Sequence, residues 1–250
     1  MSFHQLLAEG ESVPLEGFDF SWFAERASEE RPPWGYASLL ARRAGEVGTM
    51  CDLETGGGEV LAWSLGEAGH RPETVAATEG YAPNAAVAGR RLAPFGVGLV
   101  RAADGDLPFK GDAFELVSSR HPVEVAWEEV ARVLRPGGRF LSQMVGAASN
   151  RELYEFLMGP QQPGDARSPE RAVAEARRCG LEVVDLRQAT LEVRFYDVGA
   201  VVHFLSKVPW TVPGFTVEGY LDRLAELHDH LARNGRFVSH STRFLLEATK

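Results

Sequence analysis

Met50-Cys51-Asp52-Leu53-Glu54-Thr55-Gly56-Gly57-Gly58-Glu59 is the stretch on which the reading of the whole chain turns. A short apolar run from Val47 leads into it, and Val60-Leu61-Ala62-Trp63-Ser64-Leu65 follows with a helical pattern. Strand, tight turn and helix in that order describe the first crossover of a nucleotide-binding α/β sheet. The glycines let the backbone turn sharply and let a ligand approach without a Cβ in the way. The amides at the start of the helix point toward that ligand.

The charges on the loop narrow the choice of ligand. In a dinucleotide fingerprint G-x-G-x-x-G, Gly56 and Gly58 fill the first two places, but Leu61 stands at the third, and no Walker lysine follows. Asp52, Glu54 and Glu59 place three carboxylates on one turn, which repels a pyrophosphate and suits a cation. S-adenosylmethionine (SAM) carries a sulfonium and an α-ammonium beside its adenosine, and it meets that requirement.

At these residues the chain resembles the class I SAM-dependent methyltransferases, whose first motif runs acid, apolar, Gly-x-Gly-x-Gly. Asp52, Leu53, Gly56 and Gly58 match it, while Glu54 stands where the family has its first glycine. The resemblance implies that Asp52, Glu54, Thr55, Gly56, Gly57 and Gly58 contact the cofactor. It also implies the family's sheet of seven strands, Rossmann-like and mostly parallel, with an antiparallel last strand and helices on both faces.

Glu73 to Glu79 reads as a second strand ending in an acid, and Glu79 lies 21 residues past Gly58. That is where a carboxylate accepts the ribose hydroxyls in nucleotide-binding crossovers. Gly80 and Tyr81 follow, where the family places a residue against adenine. Gly98 to Ala102 reads as a third strand running into Asp104-Gly105-Asp106-Leu107-Pro108-Phe109. Leu-Pro-Phe here resembles the UbiE/COQ5-like (methyltransferase type 11) subgroup. That resemblance implies adenine recognition by Asp104, or by Asp106, around Gly105. Phe114 to Ser119 is the fourth strand, with Ser119, Arg120 and His121 at its carboxyl end, where open α/β sheets bind ligands. Val123 to Leu134 has helical spacing, and Val-Leu-Arg-Pro-Gly-Gly-Arg-Phe-Leu (133–141) again resembles the family and leads into a fifth strand, Arg139 to Val145. Leu181 to Arg187 and Phe244 to Ala248 are the expected sixth and seventh strands.

Four segments are expected: 1–46, an N-terminal helical segment over the cofactor site; 47–195, the SAM-binding core; 196–240, a helical cap inserted between the last two strands; and 241–250, the final strand. Asp19 to Ala27 and Gly35 to Ala44 look like short helices in the first. Trp34 and Tyr36 in its rigid aromatic turn, and His203 and Trp210 in the apolar insertion, are the candidates to bind substrate.

The 250 residues suit one large α/β domain or a domain with an insertion; hydrophobic content of 44% and charged content of 24% are ordinary globular values. No apolar run reaches the ~20 residues of a membrane span, and no signal peptide is evident. Cys51 and Cys179 read as reduced thiols in a cytoplasmic protein. No cluster has metal-ligand spacing. A net charge of −9 favours a small-molecule acceptor over nucleic acid.

Transfer from a sulfonium is an in-line displacement, so alignment and exclusion of water dominate. Where the acceptor must lose a proton, His121 is the expected base, with His203 and His240 behind it. The function read from the sequence is therefore SAM-dependent methylation of a small, hydrophobic or aromatic molecule by a monomer or homodimer, yielding S-adenosylhomocysteine. The alternatives are an RNA or tRNA methyltransferase and a degenerate SAM-binding protein without catalysis.

Overall fold

Along the central strands of the computed structural model, which describes residues 1–15, 20–102 and 105–250, neighbouring side chains alternate between two hydrophobic cores. Met50, Leu116, Leu141 and Leu245 face one core, while Cys51, Val117, Phe140 and Phe244 face the other. Strands covered on both faces need near-continuous apolar runs, which these are.

The strands are β1 (Ala27–Glu29), β2 (Thr49–Leu53), β3 (Thr74–Thr78), β4 (Gly98–Val100), β5 (Phe114–Arg120), β6 (Leu134–Val145), β7 (Glu182–Phe195) and β8 (Phe237–Thr249). The helices are α1 (Phe3–Ser12), α2 (Tyr36–Ala44), α3 (Glu59–Glu67), α4 (Ala82–Leu92), α5 (Trp127–Val133), α6 (Arg151–Met158), α7 (Pro169–Arg178), α8 (Val198–Lys207) and α9 (Leu221–Asn234). The sheet order is β1-β7-β8-β6-β5-β2-β3-β4. Pairs β2–β3, β2–β5, β3–β4 and β5–β6 are parallel, and the last strand, β8, runs antiparallel to β6. Helices α2, α3 and α4 pack on one face and α5 and α7 on the other.

The sheet has eight strands, one more than the seven expected. The extra one, β1, lies where a helix was expected over Asp19 to Ala27. Among the described residues that segment holds one turn of 3₁₀ helix, Ser21–Phe23, and then pairs Ala27 with Phe195 of β7. Asp19 itself lies outside the described residues. The helix expected over Val123 to Leu134 is also shorter, because α5 starts only at Trp127.

The chain divides into two compact units. The sheet unit comprises Pro32–Gly146, Asp165–Ala189 and Arg243–Lys250. In it, buried Glu247 of β8 accepts from Arg43 of α2 at 2.7 and 3.0 Å and from Arg139 of β6 at 2.7 Å. The helical unit comprises Met1–Arg31, Ala147–Gly164 and Thr190–Thr242, with its own core of Leu6, Leu153, Val201, Leu205, Leu224 and Leu227 among others. These boundaries differ from the expected segments. Residues 32–46 fold with the sheet and residues 1–31 with the helical insertion, since Trp34, Tyr36, Leu39 and Leu40 pack in the sheet unit's core and Leu6, Leu7 and Phe23 in the other.

Candidate active site

The strand order reverses beside β2: the chain steps outward through β3 and β4 on one side and through β5 and β6 on the other. The carboxyl ends of β2 and β5 therefore flank a topological switch point, where α/β sheets bind ligands. Register sets Leu53 beside Ser119 and Asp52 beside Ser118.

The turn after β2 is built for backbone exposure. Glu54 takes φ 51°, Gly56 φ 63° and Gly58 φ 77°, all left-handed. Glu54, where the sequence resemblance places a glycine, adopts the glycine-like conformation at a cost of roughly 1 kcal/mol. Its Oε2 accepts the Val123 N–H at 3.0 Å, tying this turn to the one after β5. A Cβ on Gly58 would sit 2.9 Å from Leu92 Cγ of α4, so this glycine also serves helix packing. Glu59 departs from the expectation of a third loop carboxylate facing a ligand, because it pairs with Arg91 of α4, which also donates to Gly57 O.

Glu79, at the end of β3, is buried and turned onto the glycine turn. Its Oε2 accepts the Gly56 N–H at 2.8 Å and its Oε1 accepts the Tyr81 N–H at 2.8 Å. Thr55 donates its N–H to Thr78 O at 2.9 Å, which holds the two strand ends together.

Asp52 is buried, and burial raises its carboxyl to about 6, against the pull of a 2.5 Å hydrogen bond from Ser118 Oγ and the charge of Arg120. Ser119 Oγ, one residue on, is buried with no hydrogen-bond partner among the described residues. Tyr36 spends its hydroxyl on the backbone, donating to Ser119 O at 3.1 Å, and burial raises its pKa well above the usual value. It is framework here rather than a free substrate contact. Gly80 accepts from Arg101 through its carbonyl at 3.3 Å, and Tyr81 is exposed. Gly105 and Asp106 lie in an exposed turn, and Asp104 lies outside the described residues.

His121 follows β5 in a left-handed conformation, φ 58°. Its Nε2 lies 2.8 Å from Gln143 Nε2, and Gln143 Oε1 accepts from Trp34 Nε1 at 2.7 Å. Burial, then the charges of Arg120 and Arg243, hold the imidazole well below its usual range, so the ring is neutral at neutral pH.

Residues 51–142 match the family model of the methyltransferase domain. Solved structures with this fold include the protein BH2331 of Bacillus halodurans C-125, 18% identical over 86% of this chain and 98% of that one, with a TM-score of 0.60. They also include the geranyl diphosphate C-methyltransferase of Streptomyces coelicolor A3(2), solved with Mg2+, geranyl diphosphate and S-adenosyl-L-homocysteine. That protein is 16% identical over 85% of this chain and 77% of that one, with a TM-score of 0.53. The [4+2]-cyclase SpnF is 18% identical over 86% and 80% of the two chains, with a TM-score of 0.53. No curated protein sequence matches the chain.

The sheet unit thus brings Asp52, Glu54, Gly56, Glu79, Ser119, His121 and Trp34 to the strand ends around one switch point. His203 and Trp210 belong to the helical unit. His203 is buried against Trp22 and Phe23, ring centroids 5.1 Å away, with neither nitrogen bonded among the described residues. Trp210 is half exposed. His240 pairs with Glu152 at 2.7 Å in the same unit. Sequence reading missed Gln143 and Arg243. The available signal for Gln143 was a lone amide inside the apolar run Phe140 to Val145.

Proposed function

We propose that the protein is a SAM-dependent methyltransferase that acts on a small molecule. The observation that carries this is the hydrogen bond from Gly56 N–H to Glu79 Oε2 at 2.8 Å. It fixes a strand-end carboxylate against a glycine turn, the arrangement that holds a nucleoside by its ribose hydroxyls. The residues fit the cofactor in two further respects. Asp52 and Glu54 supply negative charge for an ammonium and a sulfonium. Ser119 Oγ offers a buried hydroxyl with no partner among the described residues.

SAM would supply an electrophilic methyl group on sulfur, and the chain's task is placement. Glu79 would hold the ribose, the turn from Glu54 to Gly58 the methionyl part, and Asp106 with Tyr81 the adenine side. The acceptor would lie by His121 and Trp34, beyond the ends of β5 and β6. Arg43, Arg91 and Arg178 each pair with carboxylates. That supports a small acceptor over a nucleic acid, which needs a stripe of available cations.

Isothermal titration with SAM and with S-adenosylhomocysteine tests the reading, with micromolar binding expected. Absence of binding by either would sink it, and the SpnF likeness makes the titration necessary, since this fold is not confined to proteins named for methyl transfer. Glu79→Gln should weaken SAM about tenfold or more, the scale of a hydrogen bond to a charged group. An unchanged affinity would remove Glu79 from the ribose site.

A further inference from the structure

The hydrogen bonds around His121 have a direction that follows from the chemistry of the groups alone. An indole N–H only donates, so the Gln143 atom 2.7 Å from Trp34 Nε1 is the carbonyl oxygen Oε1. The other amide atom, Nε2, is then a donor, and it lies 2.8 Å from His121 Nε2. His121 Nε2 has to accept, which puts the single ring proton on Nδ1. Turning the amide over would set its NH₂ group against the indole N–H. Gln143 is 3% exposed, so water cannot readily compensate for that clash of donors. The backbone carbonyl of Gln143 accepts the His121 backbone N–H at 2.7 Å, which fixes the two residues together.

A ring held this way is poorly suited to take a proton. Its one basic nitrogen is already engaged, and burial with two nearby guanidinium groups opposes a positive charge on it. Its other edge presents an N–H with no hydrogen-bond partner among the described residues. That N–H lies in the positive field of Arg120 and Arg243. A donor in a positive field at the end of β5 suits a negatively charged oxygen.

We propose that His121 positions the methyl acceptor by donating Nδ1–H to an anionic oxygen of that molecule, a carboxylate or a phosphate, and that Trp34 and Gln143 hold the tautomer that makes the donation available. The inference rests on the methyltransferase reading and names the class of its substrate, a small acid. It replaces proton abstraction by His121 with substrate orientation.

Nitrogen-15 NMR of the histidine rings at pH 7 reads the tautomer directly, with Nδ1 protonated and Nε2 bare as the expected result. Benzoate and inorganic phosphate, each titrated into the S-adenosylhomocysteine complex, serve as anion probes, with benzyl alcohol as the uncharged control. At least one anion should shift the His121 Nδ1 resonance, and the alcohol should not. His121→Ala should weaken that anion about tenfold or more. His121→Asn should stay within about threefold of wild type, because an asparagine amide donates but takes no proton and tolerates the left-handed backbone. An unchanged S-adenosylhomocysteine affinity shows that both variants are folded.

An Nε2-protonated ring, no His121 shift with either anion, or an Asn variant as weak as the Ala variant overturns the proposal. So does S-adenosylhomocysteine alone shifting His121 and excluding both anions, for the oxygen recognised is then the cofactor's own carboxylate. If the nucleoside fails to bind at all, the methyltransferase reading falls separately, and the anion titrations on the free protein still decide the role of His121.

Discussion

Asp52 ties stability to the proposed binding site through one proton. The unfolded chain releases it near the ordinary 3.8, whereas burial in the fold holds it to about 6. Between those values the native state binds more protons than the unfolded state, so stability falls as pH rises through the window. Two pKa units correspond to about 3 kcal/mol of stability, lost in full above pH 6. Asp52→Asn keeps an acceptor for Ser118 and removes the charge. It should raise the unfolding free energy by about 2–3 kcal/mol at pH 8 and by much less at pH 4, measured by urea unfolding. Equal gains at both pH values would rule out the buried charge as the source. A cation beside the carboxylate favours its ionised form, so wild-type affinity for SAM should strengthen as pH rises through 6, and the Asn variant should lack that rise. The burial cost of Asp52 in the free protein is thus one that a cationic cofactor beside it would relieve.

At the scale of elements, α1 and α8 meet backbone to backbone. A Cβ on Gly10 would lie 2.4 Å from Gly199 O, and one on Gly199 would lie 2.5 Å from Leu6 O. Neither neighbour is a side chain that can swing aside. Gly199→Ala should therefore destabilise the protein by roughly 1–3 kcal/mol, despite alanine's better helix propensity. A rise in the thermal midpoint would show that the helices separate without cost. This contact was not legible in the sequence, since a glycine inside a helix carries no sign of its partner. The parallel strands were legible, because burial on both faces demands apolar runs such as Leu116 to Val117 and Phe140 to Leu141. Strand β1 was not, because three residues, Ala27 to Glu29, show no period and form a strand by pairing with β7. In the candidate site, the position of Glu79 against the glycine turn could be expected from spacing along the chain. Gln143 could not, because its role depends on Trp34, 109 residues away in sequence. The place of His121 at the end of β5 was legible, but the tautomer proposed for it depends on that distant pair.

For the whole molecule, two compact units that do not share a hydrophobic core imply two stability domains, each able to open on its own. Leu224 of α9 is fully buried in the helical unit, and Leu65 of α3 is 1% exposed in the sheet unit. Truncating either leucine to alanine removes the same atoms from a packed core and should cost about 2–5 kcal/mol. The site residues that the proposed cofactor would touch all belong to the sheet unit. Leu224→Ala should therefore speed amide hydrogen exchange mainly in α1, α8 and α9 and leave SAM affinity within about threefold. Leu65→Ala should speed exchange in β2, β3 and α3 and weaken SAM, because α3 begins at the glycine turn. Uniform loss of protection across both units in the Leu224 variant would mean that the chain unfolds in one step and that its two units are separate only in geometry. Selective loss would show that the helical unit opens on its own while the glycine turn of the sheet unit stays folded.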